Sequence, residues 1–236
     1  MSATMAQLVV MVTGAAGNLG RAVAQVFATA GARLVLVDAR AATLDAAFGA
    51  PDDSRMHAAA NLLRQEQVDA AVQSVIDRFG RIDVLCHLAG GFRMGEAVHE
   101  TGYDTWDFLL DLNARTLIGA ARAVVPRMLA VRNGSIVAVA AAGAQKGMAQ
   151  MGAYCASKAA TVRLVEAMSA ELRDRGINVN CVLPSVIDTP ENRKAVPGAD
   201  PARWVAPVDL ARVIAFLASD EARAVHGAAL PVTGLG

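Results

Sequence analysis

The chain has 236 residues, enough for one large domain burying roughly 70–75% of its unfolded surface, and its 22 basic and 22 acidic side chains cancel. That balance leaves no field to attract nucleic acid or an anionic membrane surface, and no run of about 18 uninterrupted apolar residues exists to span a bilayer. Three widely spaced cysteines among apolar neighbours, Cys86, Cys155 and Cys181, argue against a disulfide framework or a metal cluster and for buried thiols in a reducing, cytoplasmic setting.

Along the chain, short Val/Leu/Ile-rich runs alternate with segments of helical period. LVVMV (8–12) reads as a strand, residues 18–31 as a helix and RLVLVD (33–38) as the second strand. The uncharged first twenty residues have no basic start, and glycines interrupt them, so no signal peptide is expected. A weak third strand precedes Asn61, and a helix is predicted near 66–79. IDVLCHLA (82–89) is the fourth strand, followed by one long helix near 105–131. GSIVAVA (134–140), a helix near 152–175 and INVNCVLP (177–184) continue the rhythm. Residues 190–205, with three prolines, read as a surface loop or short lid; a helix near 207–218 and an edge strand near 228–232 close the chain. Strand–helix alternation with right-handed crossovers predicts one α/β domain, a doubly wound Rossmann-type parallel sheet with helices on both faces.

Immediately after the first strand comes T-G-A-A-G-N-L-G, residues 13–20. Gly14, Gly17 and Gly20, with Asn18 and Leu19, predict a tight turn whose backbone N–H groups approach a pyrophosphate at a helix N-terminus. Asp38 ends the second strand eighteen residues after Gly20, where a carboxylate accepts both ribose hydroxyls and repels a 2′-phosphate. NAD is therefore the expected cofactor, with NADP less favoured, although Arg40 lies nearby. Three further stretches complete a predicted cleft: Asn61 and Leu62 toward the adenine, Ala89-Gly90-Gly91 after the fourth strand, and Pro184 to Thr189, including Ile187, toward the carboxamide.

Tyr154 and Lys158 are one helical turn apart and share a helix face. A free tyrosine titrates near 10, so a proton-transferring tyrosine needs a cation beside it, which Lys158 is placed to supply. On spacing alone a surface pair is the commoner explanation; the nucleotide loop upstream reverses that weighting. Phe92, Met94, Met148 and Met151 are candidates for an apolar substrate wall, with core packing an equal alternative.

The T-G-x-x-x-G-x-G loop, the acidic end of strand two, A-G after strand four, Asn113, Y-x-x-x-K and P-x-x-x-x-T together resemble the short-chain dehydrogenase/reductase family over essentially the whole chain. The resemblance implies hydride transfer at C4 of a nicotinamide with Tyr154 as proton donor or acceptor. It also implies Lys158 on the nicotinamide ribose and Asn113 holding a relay water. Homodimers or homotetramers through the two long helices are implied by the same resemblance. Four departures stand out: Asn18 for a glycine, where Gly17 and the tolerance of Asn for positive φ offer compensation; His87-Leu88 for N-N; Ser185 for glycine; and Ala141, thirteen residues before Tyr154, for the substrate-orienting serine. Alanine there, A-G-G after strand four and the stretch L-P-x-x-x-D-T-P-x-N-R-K-x-x-P-x-A-D (183–200) are similar to dihydropteridine reductases. The expected activity is NAD(H)-dependent oxidoreduction of a small carbonyl, alcohol or conjugated imine-type substrate. A quinonoid dihydropterin is one alternative, and an NAD-binding pseudoenzyme without turnover another.

Overall fold

The computed structural model describes residues 5–235. Seven parallel strands form one sheet in the order β3-β2-β1-β4-β5-β6-β7. They are β1 (Val9–Thr13), β2 (Arg33–Asp38), β3 (Arg55–Ala59), β4 (Val84–His87), β5 (Gly134–Val139), β6 (Ile177–Pro184) and β7 (Ala229–Val232). In register, Thr13 lies beside Val37 on one side and His87 on the other.

Side chains of a strand alternate between faces, and both faces here are apolar. Val9 and Met11 of β1 enter one core; Val10 and Val12 enter the other. The first core packs under α3 (Gln65–Phe79), α5 (Thr116–Val131) and α6 (Gly152–Leu172), with Val72, Leu117 and Val165 fully or nearly fully buried. The second packs under α1 (Asn18–Thr29), α2 (Ala41–Phe48) and α8 (Pro207–Leu217), with Phe27, Leu44 and Leu210 fully buried. Two-sided burial is why the strands read as unbroken apolar runs rather than as alternating ones.

Two segments differ from the sequence expectation. The helix predicted over 105–131 is two helices, α4 (Tyr103–Leu110) and α5, joined by one wide π turn over Asp111–Arg115. An extra residue in one turn shifts the face that follows, and such turns recur at functional sites; this one carries Asn113. The predicted lid 190–205 begins with a short helix, α7 (Pro190–Ala195), capped by the Thr189 hydroxyl accepting the Asn192 N–H at 3.2 Å. Pro190 at its first position has the fixed φ a helix start needs, so the proline read as a breaker is an initiator. Cys86, Cys155 and Cys181 are unbridged and buried. Among the described residues, no helix is long and apolar enough to cross a membrane, and no cluster of three His, Cys, Asp or Glu side chains is arranged to hold a metal.

Candidate active site

Strand order reverses between β1 and β4, and a crevice opens at their carboxyl ends, where ligands of such sheets bind. Its floor is the turn after β1. Gly14 has φ +65°, and a Cβ there would sit 3.0 Å from the Ala89 backbone N. A Cβ at Gly20 would lie 2.4 Å from the carbonyl oxygens of both Gly14 and Ala15, so no side chain fits. The other two loop positions work differently from expectation. Gly17 is the extended N-cap (φ −68°, ψ 166°) and Asn18 the first residue of α1, so neither uses positive φ. Asn18 instead donates from Nδ2 to Glu191 on α7 at 2.8 Å, joining the lid helix to the loop.

The crevice holds a cavity of about 450 Å³, within the range of small-molecule and cofactor sites. Its walls include Gly14, Gly17, Asn18, Leu19, Gly20, Asp38, Asn61, Leu62, Ala89, Gly90 and Thr189. The Asp38 carboxylate is held by the N–H groups of Ala16 (3.2 Å) and Ala39 (2.8 Å), which fixes a negative charge at the end of β2. Asn61 spends its side-chain oxygen on the Leu63 N–H at 2.9 Å, leaving its NH2 as the group able to meet a ligand. Gly91, Pro184 and Ile187 back the wall rather than line it: Gly91 is tied to Asn113, Pro184 ends β6, and Ile187 bridges to Val205. Leu112 and Thr116 also line the cavity. Sequence reasoning missed them because the π turn that aims them leaves no mark in apolar periodicity.

His87, at a position where the resemblance expects asparagine, is tied on both ring nitrogens. The Leu88 and Ala89 N–H groups donate to Thr13 Oγ1 (3.2 and 3.3 Å), leaving that hydroxyl its hydrogen for His87 Nδ1 at 3.1 Å. The Thr116 hydroxyl gives its hydrogen to the Leu112 carbonyl (2.7 Å), so it accepts from His87 Nε2–H at 3.2 Å. The chain of donors fixes a neutral ring that pins β1, β4 and α5 together beneath the cavity. Burial, and secondarily the Lys158 charge, pushes the imidazole from 6.5 down to about 3. The unfolded chain takes up that proton near pH 6.5 and the folded chain only near pH 3. Stability is therefore full above the upper value and falls by about 1.4 kcal/mol per pH unit as pH drops through the window. His87→Asn is expected to flatten the acid limb of stability between about pH 6 and 4, measured by urea titration. An unchanged slope would assign the acid sensitivity to other groups.

Helix α6 carries both Tyr154 and Lys158. Lys158, buried, donates from Nζ to the Val139 carbonyl at 3.1 Å. A Cβ at Gly90 would lie 3.1 Å from that Nζ and 2.9 Å from Asn113 Oδ1, so Lys158, Asn113 and the bare Gly90 backbone meet at one corner. Asn113 is fully engaged: Oδ1 accepts the Gly91 N–H (2.9 Å), and Nδ2 donates to the Gly91 carbonyl (3.0 Å) and to Ser157 Oγ (2.9 Å). Its main-chain carbonyl accepts the Thr161 hydroxyl at 2.9 Å. That pattern makes the side chain a clamp on the Gly90-Gly91 backbone.

Tyr154 packs its ring edge-on against Phe92, centroids 4.8 Å apart at 88°. In the cofactor-free chain, burial outweighs any acidifying effect of Lys158 on the phenol. Burial first, and the neighbouring Cys155 second, raise the phenol from 10.0 to about 12, while burial lowers Lys158 from 10.5 to about 8. The ammonium is spent on the Val139 carbonyl, so desolvation outweighs any attraction between the pair. Near neutral pH the site thus holds a protonated phenol beside an ammonium. Ala141 is buried, in extended backbone (φ −165°, ψ 160°), with Ala140 and Ala142 on either side. Gln145 and Lys146, just past the short turn that follows, are exposed.

Comparison with known proteins agrees with this geometry. The profile of a family described as enoyl-(acyl carrier protein) reductase matches residues 14–234. The D-threitol dehydrogenase of Mycolicibacterium smegmatis is 35% identical over 96% of this chain and 91% of its own. The 3-oxoacyl-[acyl-carrier-protein] reductase FabG of Thermotoga maritima is 33% identical over 96% of both. An NAD+-bound xylitol dehydrogenase structure superposes with a TM-score of 0.89 at 26% identity, covering 98% of this chain and 99% of that one. With the glycine turn lining the crevice, Lys158 and Asn113 meeting at Gly90 on its edge, Tyr154 lining the neighbouring cavity, and these relatives spanning the whole sheet, the chain belongs to the short-chain dehydrogenase/reductase family of oxidoreductases.

Proposed function

We propose that the protein is an NAD(H)-dependent oxidoreductase interconverting a small alcohol and its ketone, with Tyr154 exchanging the proton at the substrate oxygen. The observation that carries this is the corner where Lys158, Asn113 and Gly90 meet, one helical turn from Tyr154 and at the edge of a cavity whose floor admits only glycine at Gly14 and Gly20. Backbone N–H groups at the start of α1 would bind the pyrophosphate and Asp38 the adenosine ribose. Asn61 and Leu62 would lie along the adenine, Lys158 on the second ribose, and Thr189 beside the carboxamide, with Pro184 and Ile187 shaping that end. The fixed charge of Asp38 supports NAD over NADP, because it would face a 2′-phosphate. The bound nicotinamide supplies or accepts the hydride. During reduction the Tyr154 hydroxyl gives its proton to the forming alkoxide, and the Lys158 ammonium stabilises the phenolate left behind.

The named relatives that act on alcohols and ketoacyl groups support this reading over quinonoid dihydropterin reduction, for which Ala141 and the stretch 183–200 are the motive. One panel separates the readings: NADH fluorescence titration, then turnover with NAD+ or NADP+ against polyols, secondary alcohols, ketones and a quinonoid dihydropterin. Binding without any turnover would indicate a pseudoenzyme. Ala141→Ser is expected to raise kcat/KM for simple ketones about tenfold or more, since a preorganised donor at a developing oxyanion contributes on the order of 3 kcal/mol. The extended backbone at Ala141 accepts a serine without strain. No gain would mean another group already fills the role.

We also propose a homodimer or homotetramer. Val98, Tyr103 and Trp106 form an apolar surface against the first turns of α6, and Tyr103 is 86% exposed.

A further inference from the structure

We infer that Glu191 is an internal competitor for the cofactor: its carboxylate stands at the start of α1, where the pyrophosphate is to bind, and cofactor entry has to displace it. The inference rests on the proposed NAD(H) reading, because it concerns the anion site of that cofactor.

The start of α1 has no anion of its own. Its N-cap, Gly17, offers no side chain to the first helix N–H groups, and no acidic residue lies in the first turn. Free N–H groups and the positive end of the helix dipole favour a negative group at that place. The carboxylate that comes to it belongs to a residue 173 positions away, Glu191, whose Oε2 accepts from Asn18 Nδ2 at 2.8 Å. Among the described residues this is the one side-chain hydrogen bond between α7 and the glycine loop. Asn18 and Thr189, the residues on which the contact is built, both line the nucleotide cavity.

The lid holds the carboxylate there by its own bracing. Asp188 takes Arg193 Nε and Nη2 on its two oxygens at 2.6 and 2.7 Å, and Asn192 Nδ2 donates to the Ile187 carbonyl at 2.8 Å. The Asp188 N–H donates to the Val205 carbonyl at 2.9 Å, which fixes the base of the lid. Arg193 is thus committed to Asp188. The Glu191 carboxyl is held below the usual carboxylate range, first by its own N–H, then by the Thr189 and Asn18 side chains, with the Lys194 charge adding to them. A pyrophosphate on the N–H groups of α1 brings two negative charges to the same corner. Two anions repel there and compete for the same donors. The donor that holds the competitor is Asn18, one of the positions where this chain departs from its family.

The test measures NADH binding by fluorescence titration and stopped flow in the wild type, Glu191→Gln and Glu191→Ala. Glutamine keeps the length and can still accept from Asn18, but carries no charge. The dissociation constant is expected to fall about three- to tenfold in both variants, the range for one exposed carboxylate facing a pyrophosphate. Most of the gain should lie in the association rate, as for a charge at the rim of a site. It should shrink as KCl is raised from about 0.01 M to about 1 M, which shortens the screening length from about 30 Å to about 3 Å. ADP-ribose, which has the diphosphate and no nicotinamide, should gain as NADH does; adenosine, which has no phosphate, should gain nothing. Unchanged or weaker NADH binding in both variants would overturn the inference, and weaker binding would make Glu191 a strap that holds the cofactor in. A gain shared by adenosine, or one indifferent to salt, would overturn it too, because a loosened lid and not a removed charge would be the cause. Failure of NADH and ADP-ribose to bind any of the three proteins would sink the NAD(H) reading and this inference with it.

Discussion

Replacing Tyr154 by Phe is expected to lower kcat about 10²–10⁴-fold, the contribution of a well-placed acid or base, while the dissociation constant for NADH stays within about threefold. The substitution removes one oxygen and keeps the ring, so the edge-on packing against Phe92 at 4.8 Å survives. The run Ala140 to Ala142 carries no hydroxyl that could take over the proton. The pH profile sharpens the test. With the phenol held up at about 12 by burial, alcohol oxidation needs its deprotonated form, so log kcat/KM should climb with pH through the alkaline range. Ketone reduction uses the protonated phenol but also relies on the Lys158 ammonium, which burial brings down to about 8, so it should fall above that value. In Tyr154→Phe the climb should vanish. A retained climb together with full turnover would move the proton exchange to another group.

The nucleotide end of the site was legible in the sequence because its constraints are steric and local. A Cβ at Gly20 meets two carbonyl oxygens at 2.4 Å, and only glycine solves that, so the spacing of glycines records the turn directly. Asp38 is readable for the same reason, as a strand end whose position follows from strand length. The reacting end was less legible. The spacing of Tyr154 and Lys158 puts them on one face, but it says nothing about whether the ammonium reaches the phenol or, as found, the Val139 carbonyl at 3.1 Å. The π turn at Asp111–Arg115 adds one residue to a turn without changing the apolar pattern, and it decides where Asn113 and Thr116 point. His87 looked like a tolerated replacement; its partners Thr13 and Thr116 are 74 and 29 residues away, too far for any local rule.

Lys158→Met is expected to abolish turnover while making the cofactor-free protein more stable. The ammonium is 6% exposed and finds one hydrogen bond, to the Val139 carbonyl. Its folded-state value near 8 lies below the unfolded 10.5. Between those values the unfolded chain binds more protons, so stability rises with pH across the window and the full penalty of burying the charge is present below it. At about 1.4 kcal/mol per unit, the penalty is on the order of 3 kcal/mol, from which about 1 kcal/mol for the lost hydrogen bond is subtracted. Methionine has a similar unbranched length and no charge to bury. A gain of about 2 kcal/mol corresponds to roughly 4–8 °C in melting temperature for a chain of this size. The alkaline rise in stability should disappear with the lysine. On the proposed mechanism turnover should fall because the phenolate loses its stabilising cation and the nicotinamide ribose its ligand, and NADH affinity should weaken for the second reason alone. A destabilised Lys158→Met protein would mean the ammonium is well solvated or paired in the fold. A stabilised one that still turns over would detach Lys158 from the chemistry. The expected combination, greater stability with lost function, identifies a charge kept buried against the interest of the fold because the reaction at Tyr154 requires it.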